Sequence, residues 1–232
     1  MAAKFSVLLL TAPPPAQVAE AGGSFVKIDG REVLLRSVEL FLNRDNIKQI
    51  QLCFLPDELA EAKRKYSAHL GFSGVKVVSG GPRWIDQIAA AADKISADCT
   101  HVIVHDAARP AVPYNDLESL MEAAEEHPAT VLAAPVRTTL IEVDEGGNAL
   151  AIHPAGQYMQ LLTPQVYTKA RFEEMAKSRQ EPHASQLTIL KGSPLNVRVG
   201  GPGDVSLAKA MLNMLPKPKT KGPLTPFEEA QW

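Results

Sequence analysis

Short apolar runs alternate with amphipathic stretches along the first 136 residues of the chain. The runs are rich in Val, Ile and Leu without regular polar positions, which is typical of strands buried on both faces of a parallel sheet. The amphipathic stretches place apolar residues three and four positions apart, as helices packed on a sheet do. This alternation predicts an α/β fold with a doubly wound, mostly parallel sheet. The predicted strands are Phe5–Leu10, Ile50–Leu55, Val75–Val78, Val102–Val104 and Thr130–Val136, and the predicted helices are Glu32–Leu42, Asp57–Leu70, Trp84–Ile95 and Asn115–Glu126.

Polar residues at the helix starts predict N-caps. Asp57 follows Pro56 at the start of the second helix, and an Asn or Asp opens the fourth helix at Asn115–Asp116. Both are residue types whose side chains accept hydrogen bonds from the first free backbone N–H groups of a helix.

The pattern changes after residue 136. Two short segments, Thr138–Val143 and Ala149–His153, alternate apolar and polar residues around the Gly-rich Asp144–Asn148, which predicts an inserted β-hairpin. Such an arm often reaches a partner subunit, and an exposed flap is the alternative. The later predicted elements are strands at Gln165–Tyr167 and Asn196–Val199 and a helix at Asp204–Leu215.

These elements predict a single domain over residues 1–215 with a β-hairpin arm at 137–154 and a C-terminal tail at 216–232. The tail is rich in Pro and Lys, so we expect it to be frayed or docked on the surface. Near the start, the apolar run Val7–Leu10 is shorter than the hydrophobic region of a signal peptide and is followed by three prolines, which favours a first core strand. No run approaches the length of a membrane span, and we expect a cytoplasmic protein.

Composition and charge narrow the function classes. The net charge of −2 over 232 residues gives no bulk attraction to nucleic acid or to an anionic membrane, so an anionic ligand would need a local site. The two cysteines, Cys53 and Cys99, lie in or beside apolar runs and predict buried thiols in a reducing compartment. The six histidines show no metal-ligand spacing.

The clearest chemical signal is the segment HVIVHDAARPAVP, His101–Pro113. An apolar strand runs directly into Asp106 and Arg109, and ligands in open α/β sheets bind beyond the carboxyl ends of the strands. Asp106 is therefore the leading candidate for a functional residue. The alternative is that Asp106 and Arg109 merely pair with each other or cap the next turn.

Two Gly-rich turns could also face a ligand. Gly80-Gly81-Pro82-Arg83 precedes a predicted helix, whose N-terminus favours an anion, although a structural turn would have the same sequence. Gly200–Asp204 precedes the last helix and favours a turn with an N-cap. Arg198 ends a predicted strand beside this second turn, where it could face the same pocket as Asp106.

Taken together, these segments resemble the 2-C-methyl-D-erythritol 4-phosphate cytidylyltransferases, nucleotidyltransferases of non-mevalonate isoprenoid biosynthesis. The HDAARP and TPQ segments are the most specific, and the related alditol-phosphate cytidylyltransferases share the pattern. The segments that carry the resemblance are GREVLLRSVELF (Gly30–Phe41), GGPRWID (Gly80–Asp86), VIVHDAARP (Val102–Pro110), AAPVRTT (Ala133–Thr139), LLTPQVY (Leu161–Tyr167) and VRVGGPGDVSLAKAML (Val197–Leu212).

The resemblance implies a Rossmann-like nucleotidyltransferase fold and a Mg²⁺-dependent transfer of CMP from CTP to a sugar-alcohol phosphate. It implies a homodimer in which the 137–154 arm completes the neighbour's acceptor site. Asp106 would be catalytic and would ligate the metal, with Arg198 as a second catalytic residue. The positions implied for the nucleotide are Ala12, Gly80, Gly81, Arg83, Asp86, Ala107 and Arg109, and those implied for the acceptor are Arg137, Thr139 and Arg198.

The chain departs from this family mainly in charge. The family's nucleotide loop corresponds to Thr11–Ser24, where three prolines remove N–H donors and no Lys or Arg stands between Lys4 and Lys27. Gly23 aligns with the family's catalytic lysine, and only a four-residue slip would make Lys27 its replacement. The other departures are Asp86 for Ser, Thr138 for Asp, Ile141 for Lys, Ala155 for Arg and Arg198 for Lys.

Three hypotheses follow from these departures. The chain is an active but divergent cytidylyltransferase, a pseudoenzyme that binds a ligand or partner without turnover, or a nucleotidyltransferase for another sugar or alditol phosphate. The apolar strands and helix stripes are intact, so we expect the fold to be retained in each case.

Overall fold

The computed structural model describes residues 2–15 and 22–216. Seven strands form a central sheet in the order β11-β7-β10-β6-β1-β4-β5, and two short antiparallel pairs, β2–β3 and β8–β9, lie outside it. The strands are β1 (Phe5–Leu10), β2 (Lys27–Ile28), β3 (Arg31–Glu32), β4 (Ile47–Phe54), β5 (Val75–Ser79), β6 (His101–Asp106), β7 (Ala129–Pro135), β8 (Leu140–Val143), β9 (Ala149–His153), β10 (Met159–Thr168) and β11 (Thr188–Lys191). The helices are α1 (Val33–Glu39), α2 (Leu59–Gly71), α3 (Trp84–Ala92), α4 (Tyr114–Ala123), α5 (Lys169–Ser178) and α6 (Val205–Met214).

The predicted doubly wound, mostly parallel sheet is confirmed. Strand β1 pairs in parallel with β4 and β6 at the centre of the sheet. Its residues alternate between two cores, with Val7 and Leu9 facing α1, α2 and α4, and Leu8 and Leu10 facing α3 and α5. Because both faces are covered, every residue of β1 and β6 is buried, which explains the continuous apolar runs.

Strand β10 is the antiparallel member of the sheet and lies between β6 and β7. It contains the predicted strand Gln165–Tyr167 and is longer than predicted. The predicted strand Asn196–Val199 is wrong, because this segment pairs with no strand and instead bonds through Val199 N to the Ala108 carbonyl in the turn after β6. The edge strand β11 and helix α5 were not predicted, since β11 is short and half-exposed and α5 buries only Phe172, Met175 and Ala176.

The predicted N-caps at Asp57 and Asn115–Asp116 are wrong. Helix α2 begins at Leu59 behind Glu58, and α4 begins at Tyr114 behind Pro113, neither with a side-chain cap. Asp116 instead accepts a hydrogen bond from the backbone N of Ser193 at 2.7 Å. Asp204 does occupy the predicted N-cap position of α6, but its side chain accepts from Gly200 N at 2.7 Å and makes no capping hydrogen bond to that helix.

Strands β8 and β9 form the predicted hairpin. The carboxylate of Asp144 accepts hydrogen bonds from the backbone N of Gly146 and of Asn148, and Gly147 adopts a positive φ of 81°. Most arm residues are exposed, including large apolar side chains. The predicted tail falls almost entirely on residues 217–232, which lie outside the described residues, as do residues 16–21 of the predicted nucleotide loop. No helix in the described part of the chain has the length and apolar character needed to cross a bilayer.

Candidate functional site

Asp106 is fully buried at the carboxyl end of β6, where β1 and β10 flank it. Its Oδ1 accepts a hydrogen bond from Ala108 N at 2.9 Å, and its Oδ2 accepts one from Arg198 Nε at 2.8 Å. Arg109 Nε lies 3.8 Å from the same Oδ2, which is an ion-pair distance without a hydrogen bond. Asp106 therefore both closes the following turn and holds two guanidinium groups.

Burial and charge act in opposite directions on this cluster. Burial raises the pKa of the Asp106 carboxyl, and the two arginines oppose that rise. Burial also lowers the pKa of the Arg109 guanidinium, which Asp106 opposes in turn. The charged forms thus depend on one another, and removing any member leaves a buried charge without its partner.

A hydrogen-bond relay fixes the backbone around Asp106. His105 Nε2 lies 3.0 Å from the carbonyl oxygen of Arg109, and because a carbonyl only accepts, the imidazole proton sits on Nε2. The Thr163 hydroxyl then donates to His105 Nδ1 at 3.1 Å and accepts from Asp106 N at 3.1 Å. Burial lowers the pKa of His105 to about 3, so the ring is neutral.

Asn196 connects this relay to Arg198. Its carbonyl accepts from Arg109 Nη1 and its Nδ2 donates to the Thr163 carbonyl, both at 2.7 Å. The backbone N of Val199, the residue after Arg198, donates a hydrogen bond to the Ala108 carbonyl at 2.8 Å. These contacts, rather than a strand, place Arg198 on Asp106. Sequence reasoning assigned no role to Thr163 or Asn196, although Thr163 lies in the TPQ segment.

Two cavities meet at Arg198. The larger, of about 560 Å³, is lined by Pro14, Pro15, Arg109, Gln160, Leu161, Leu162, Thr163, Gln165, Glu181, Arg198, Gly200 and Asp204. The smaller, of about 190 Å³, is lined by Thr11, Ala12, Pro13, Gly22, Gly23, Ser24, Phe25, Leu55, Glu58, Pro82 and Arg198. Cavities at the carboxyl ends of the strands match the position expected for ligands in an open α/β sheet.

Gly80 and Gly81 are explained by packing against α3. A Cβ on Gly80 would lie 2.6 Å from Gln87 Cγ, and one on Gly81 would lie 2.4 Å from Asp86 Cβ. Asp86 receives a bidentate pair from Arg83 Nε and Nη2, each at 2.8 Å, and a third contact from Arg179 at 2.8 Å. The pair with Arg83 holds the pKa of Asp86 below its usual range. The unfamiliar negative charge at Asp86 is thus neutralised locally.

Ala12 and Ala107 use their backbone groups within the protein. Ala12 lines the smaller cavity, and its N–H donates to Gln87 Oε1 at 3.2 Å. Ala107 is buried, with its N–H on the Leu10 carbonyl and its carbonyl accepting from the Ser37 hydroxyl at 2.9 Å. Gly23 lies against the next segment so closely that a Cβ would be 1.9 Å from the Val199 carbonyl oxygen.

The remaining predicted site residues lie apart from Asp106. Lys27 is exposed on β2 and lines neither of the two cavities beside Asp106. Arg137 and Thr139 lie at the root of the arm and also line neither cavity. A single copy of the chain therefore brings together Asp106, Arg109 and Arg198, but not the residues predicted to bind the acceptor from the arm.

The Mg²⁺ implied by the resemblance does not fit Asp106 as the side chains are arranged. Both carboxylate oxygens already accept hydrogen bonds, and the Nε atoms of Arg198 and Arg109 lie 2.8 and 3.8 Å from Oδ2. In the described part of the chain, no group of three or more His, Cys, Asp or Glu residues could hold a metal ion. A divalent ion there would have to displace Arg198 and would be repelled by both guanidiniums.

The chain matches known proteins over most of its length. Residues 17–214 match the family model IspD, 2-C-methyl-D-erythritol 4-phosphate cytidylyltransferase. A curated protein of that name from Clostridioides difficile is 24% identical over 224 residues, which cover 90% of this chain and 94% of the relative. Another from Symbiobacterium thermophilum is 29% identical over 194 residues, which cover 79% of this chain and 78% of the relative.

Solved structures share the fold. The 2-C-methyl-D-erythritol 4-phosphate cytidylyltransferase of Thermus thermophilus superimposes with a TM-score of 0.69 at 21% identity, covering 89% of this chain and 98% of that one. A 4-diphosphocytidyl-2C-methyl-D-erythritol synthase gives a TM-score of 0.73 at 20% identity, covering 91% and 100%. Because the family model spans most of its length, the chain belongs to the 2-C-methyl-D-erythritol 4-phosphate cytidylyltransferase family.

Proposed function

We propose that this protein transfers CMP from CTP to 2-C-methyl-D-erythritol 4-phosphate and releases pyrophosphate, as a step of non-mevalonate isoprenoid biosynthesis. The observation that carries the proposal is that Arg198, held on Asp106, lines both cavities. A cation common to a nucleotide cavity and an acceptor cavity lies where the two phosphates must meet. We assign the nucleotide to the smaller cavity and the acceptor to the larger.

In this reaction a phosphate oxygen of the acceptor attacks the α-phosphorus of CTP, and the bond to the departing pyrophosphate breaks. The protein supplies positioning and charge, which carry most of the catalysis in such transfers. Arg198 and Arg109 would neutralise phosphate charge from the floor of the larger cavity. We expect Mg²⁺ to bind as a complex with the CTP phosphates, because both carboxylate oxygens of Asp106 already accept hydrogen bonds from Ala108 and Arg198.

The proposed enzyme is a homodimer joined through the 137–154 arm. The arm exposes large apolar side chains, among them Ile141, Val143, Leu150 and Ile152, which a monomer would leave in water. Arg137 and Thr139 stand at the root of the same arm and do not line the two cavities beside Asp106 in their own chain. An arm seated on a second copy would bring them to that copy's acceptor cavity.

We expect slow turnover. The segment between Lys4 and Lys27 has no cation, Pro13 supplies no N–H donor to the smaller cavity, and Pro14 and Pro15 supply none to the larger cavity. One lost charge contact to a transition state typically costs about 10² to 10³ in rate. Lys27 does not compensate from its exposed place on β2.

A second candidate function is binding of the nucleotide without turnover. The specific observation in its favour is that the Asp106 carboxylate is fully enclosed and already satisfied by Ala108 and Arg198. A site in this state can bind phosphate but lacks a free carboxylate for chemistry. A third candidate, transfer to another sugar or alditol phosphate, follows from the altered residues Asp86 and Ala155.

Pyrophosphate release by the purified protein with MgCl₂, CTP and 2-C-methyl-D-erythritol 4-phosphate tests the proposal. Release that is lost in Asp106→Ala and kept in Asp93→Ala, at the C-terminal end of α3, supports the family reaction. No release from a folded dimer that still binds CTP supports the second candidate. Release only with another acceptor or another nucleotide supports the third.

The two cysteines and the net charge bear on the cellular location and on the class of substrate. Cys53 and Cys99 are both free and buried, which supports our inference of a reducing, cytoplasmic location. The net charge of −2 supports small anionic substrates held by a local site rather than nucleic acid or a membrane surface.

A further inference from the structure

Arg198 and Arg109 place two guanidinium groups on one carboxylate beside the larger cavity. Arg198 Nε donates to Asp106 Oδ2 at 2.8 Å, and Arg109 Nε lies 3.8 Å from the same oxygen. His105, the other titratable side chain that contacts this turn, is neutral. The three charged groups together carry one net positive charge, while Glu181 and Asp204 also line the larger cavity and Glu58 lines the smaller one.

Arg198 contacts Asp106 through only the Nε of its guanidinium group. Its two terminal nitrogens donate to no group among residues 2–15 and 22–216, while the residue lines both cavities. The resemblance places a lysine at this position, and a single ammonium would be divided between Asp106 and a ligand. A guanidinium has five N–H donors in a planar fork, so it can hold Asp106 and still present a bidentate edge to a phosphate.

Arg109 provides a second, independent observation. The side chain is 1% exposed and lines the larger cavity, yet its Nε has no hydrogen-bond partner in the described part of the chain. Buried donors in native proteins nearly always find a partner, and a donor on a charged guanidinium favours an anion. Nε of Arg109 and Nε of Arg198 both face Asp106 Oδ2, and both arginines line the larger cavity.

We propose that Arg198, held by Asp106, replaces a protein-bound divalent metal in this chain, so that a pyrophosphate, or a nucleoside triphosphate whose base lies in the smaller cavity, binds through its phosphates to Arg198 without Mg²⁺. The identity of the nucleotide rests on the proposed function, whereas the binding of a phosphate group rests only on the cluster of Asp106, Arg109 and Arg198. Asp106 is a positioning residue in this scheme, because it orients Arg198 and does not itself contact the ligand. Mg²⁺ bound to the ligand would then neutralise negative phosphate charge that would otherwise interact with the two arginines.

Titration calorimetry with inorganic pyrophosphate and with CTP, in EDTA and in excess MgCl₂, tests the inference. We expect the wild-type Kd for pyrophosphate to be as low or lower in EDTA. Arg198→Lys should bind about tenfold more weakly in EDTA and recover with MgCl₂. Arg44→Lys is the matched control, since the Arg44 side chain is 12% exposed against 13% for Arg198 and pairs with Glu118 at the amino-terminal edge of the sheet. It should bind like the wild type.

Binding that requires MgCl₂ in the wild type, or an Arg198→Lys variant that binds normally in EDTA, overturns the inference. Thermal unfolding of each variant confirms that it is folded before the comparison. Electron paramagnetic resonance with Mn²⁺ alone gives a direct check, because bound Mn²⁺ that disappears in Asp106→Asn would also overturn it. Metal-independent binding without CMP transfer contradicts only the proposed function, whereas transfer combined with Mg²⁺-dependent binding contradicts only this inference.

Discussion

The hydroxyl of Thr163 lies 3.1 Å from Nδ1 of His105, and the two residues are 58 positions apart in the chain. Through this contact the antiparallel strand β10 is bonded to the end of β6. The same hydroxyl accepts from Asp106 N, so one oxygen serves both members of the His105–Asp106 pair.

Replacing Thr163 by Val should therefore destabilise the protein. The change keeps the shape but leaves Asp106 N–H and His105 Nδ1 buried without a partner, at a cost of about 1–3 kcal/mol in the free energy of unfolding. Urea unfolding measures the loss, and Thr163→Ser, which keeps the hydroxyl, is the control. Equal stability of the Val and Ser variants would show that the relay does not form.

The neutral His105 predicts a loss of stability in acid. Its pKa is about 3 in the folded protein against 6.5 unfolded, so only the unfolded state gains a proton as the pH falls below 6.5. By linkage, the free energy of unfolding should fall by about 2 kcal/mol between pH 7 and pH 5, and further toward pH 3.

Urea unfolding at several pH values checks this dependence, with His105→Gln as the comparison. Gln can still donate to the Arg109 carbonyl and accept from Thr163, but it does not titrate. An unchanged pH dependence in the Gln variant would assign the effect to another group, such as His101, whose pKa burial also lowers.

Gly23→Ala should disturb Arg198 without touching it. The new Cβ would meet the Val199 carbonyl oxygen at 1.9 Å, so the backbone beside Arg198 must move. We expect a stability loss of about 1–3 kcal/mol and weaker pyrophosphate binding. Gly203→Ala is the control, because its Cβ meets no atom within 4 Å. For the same steric reason, Gly23→Lys should not restore a catalytic lysine, and faster CMP transfer by that variant would refute the close packing.

Ile152→Asp on the arm should convert the proposed dimer into a folded monomer. The Ile152 side chain is 72% exposed in one copy, so the change removes little from the fold but places a charge in an apolar interface. Light scattering coupled to size exclusion measures the mass. Phe72→Asp, at a residue 97% exposed beyond the end of α2, should leave the mass unchanged. A wild-type monomer, or a dimer with Ile152→Asp, would contradict the proposed interface.

The sheet could be predicted from the sequence because its central strands are continuous apolar runs. Strand β11 and helix α5 were not predicted, because they bury few residues and their pattern of apolar positions is therefore weak. Asp106 could be found because its strand ends in an acid. Its partners could not, since Arg198 lies 92 positions away and Thr163 lies 57 away. No local pattern reports such contacts, and the predicted strand at Asn196–Val199 failed for the same reason.

Strand β10 begins beside the arm at Met159 and passes under Asp106 at Thr163, within a single ten-residue strand. The pairing of β10 with β7 shifts register between Leu161 and Gln165, and the five residues from Met159 to Thr163 are the covalent link through which a displacement of the arm reaches the site. Substitutions on the arm would therefore lower ligand affinity even with every cavity residue intact. In a saturation mutagenesis screen scored by ligand binding, positions on the arm and the cluster of Asp106, Arg109 and Arg198 would form one group of sensitive positions.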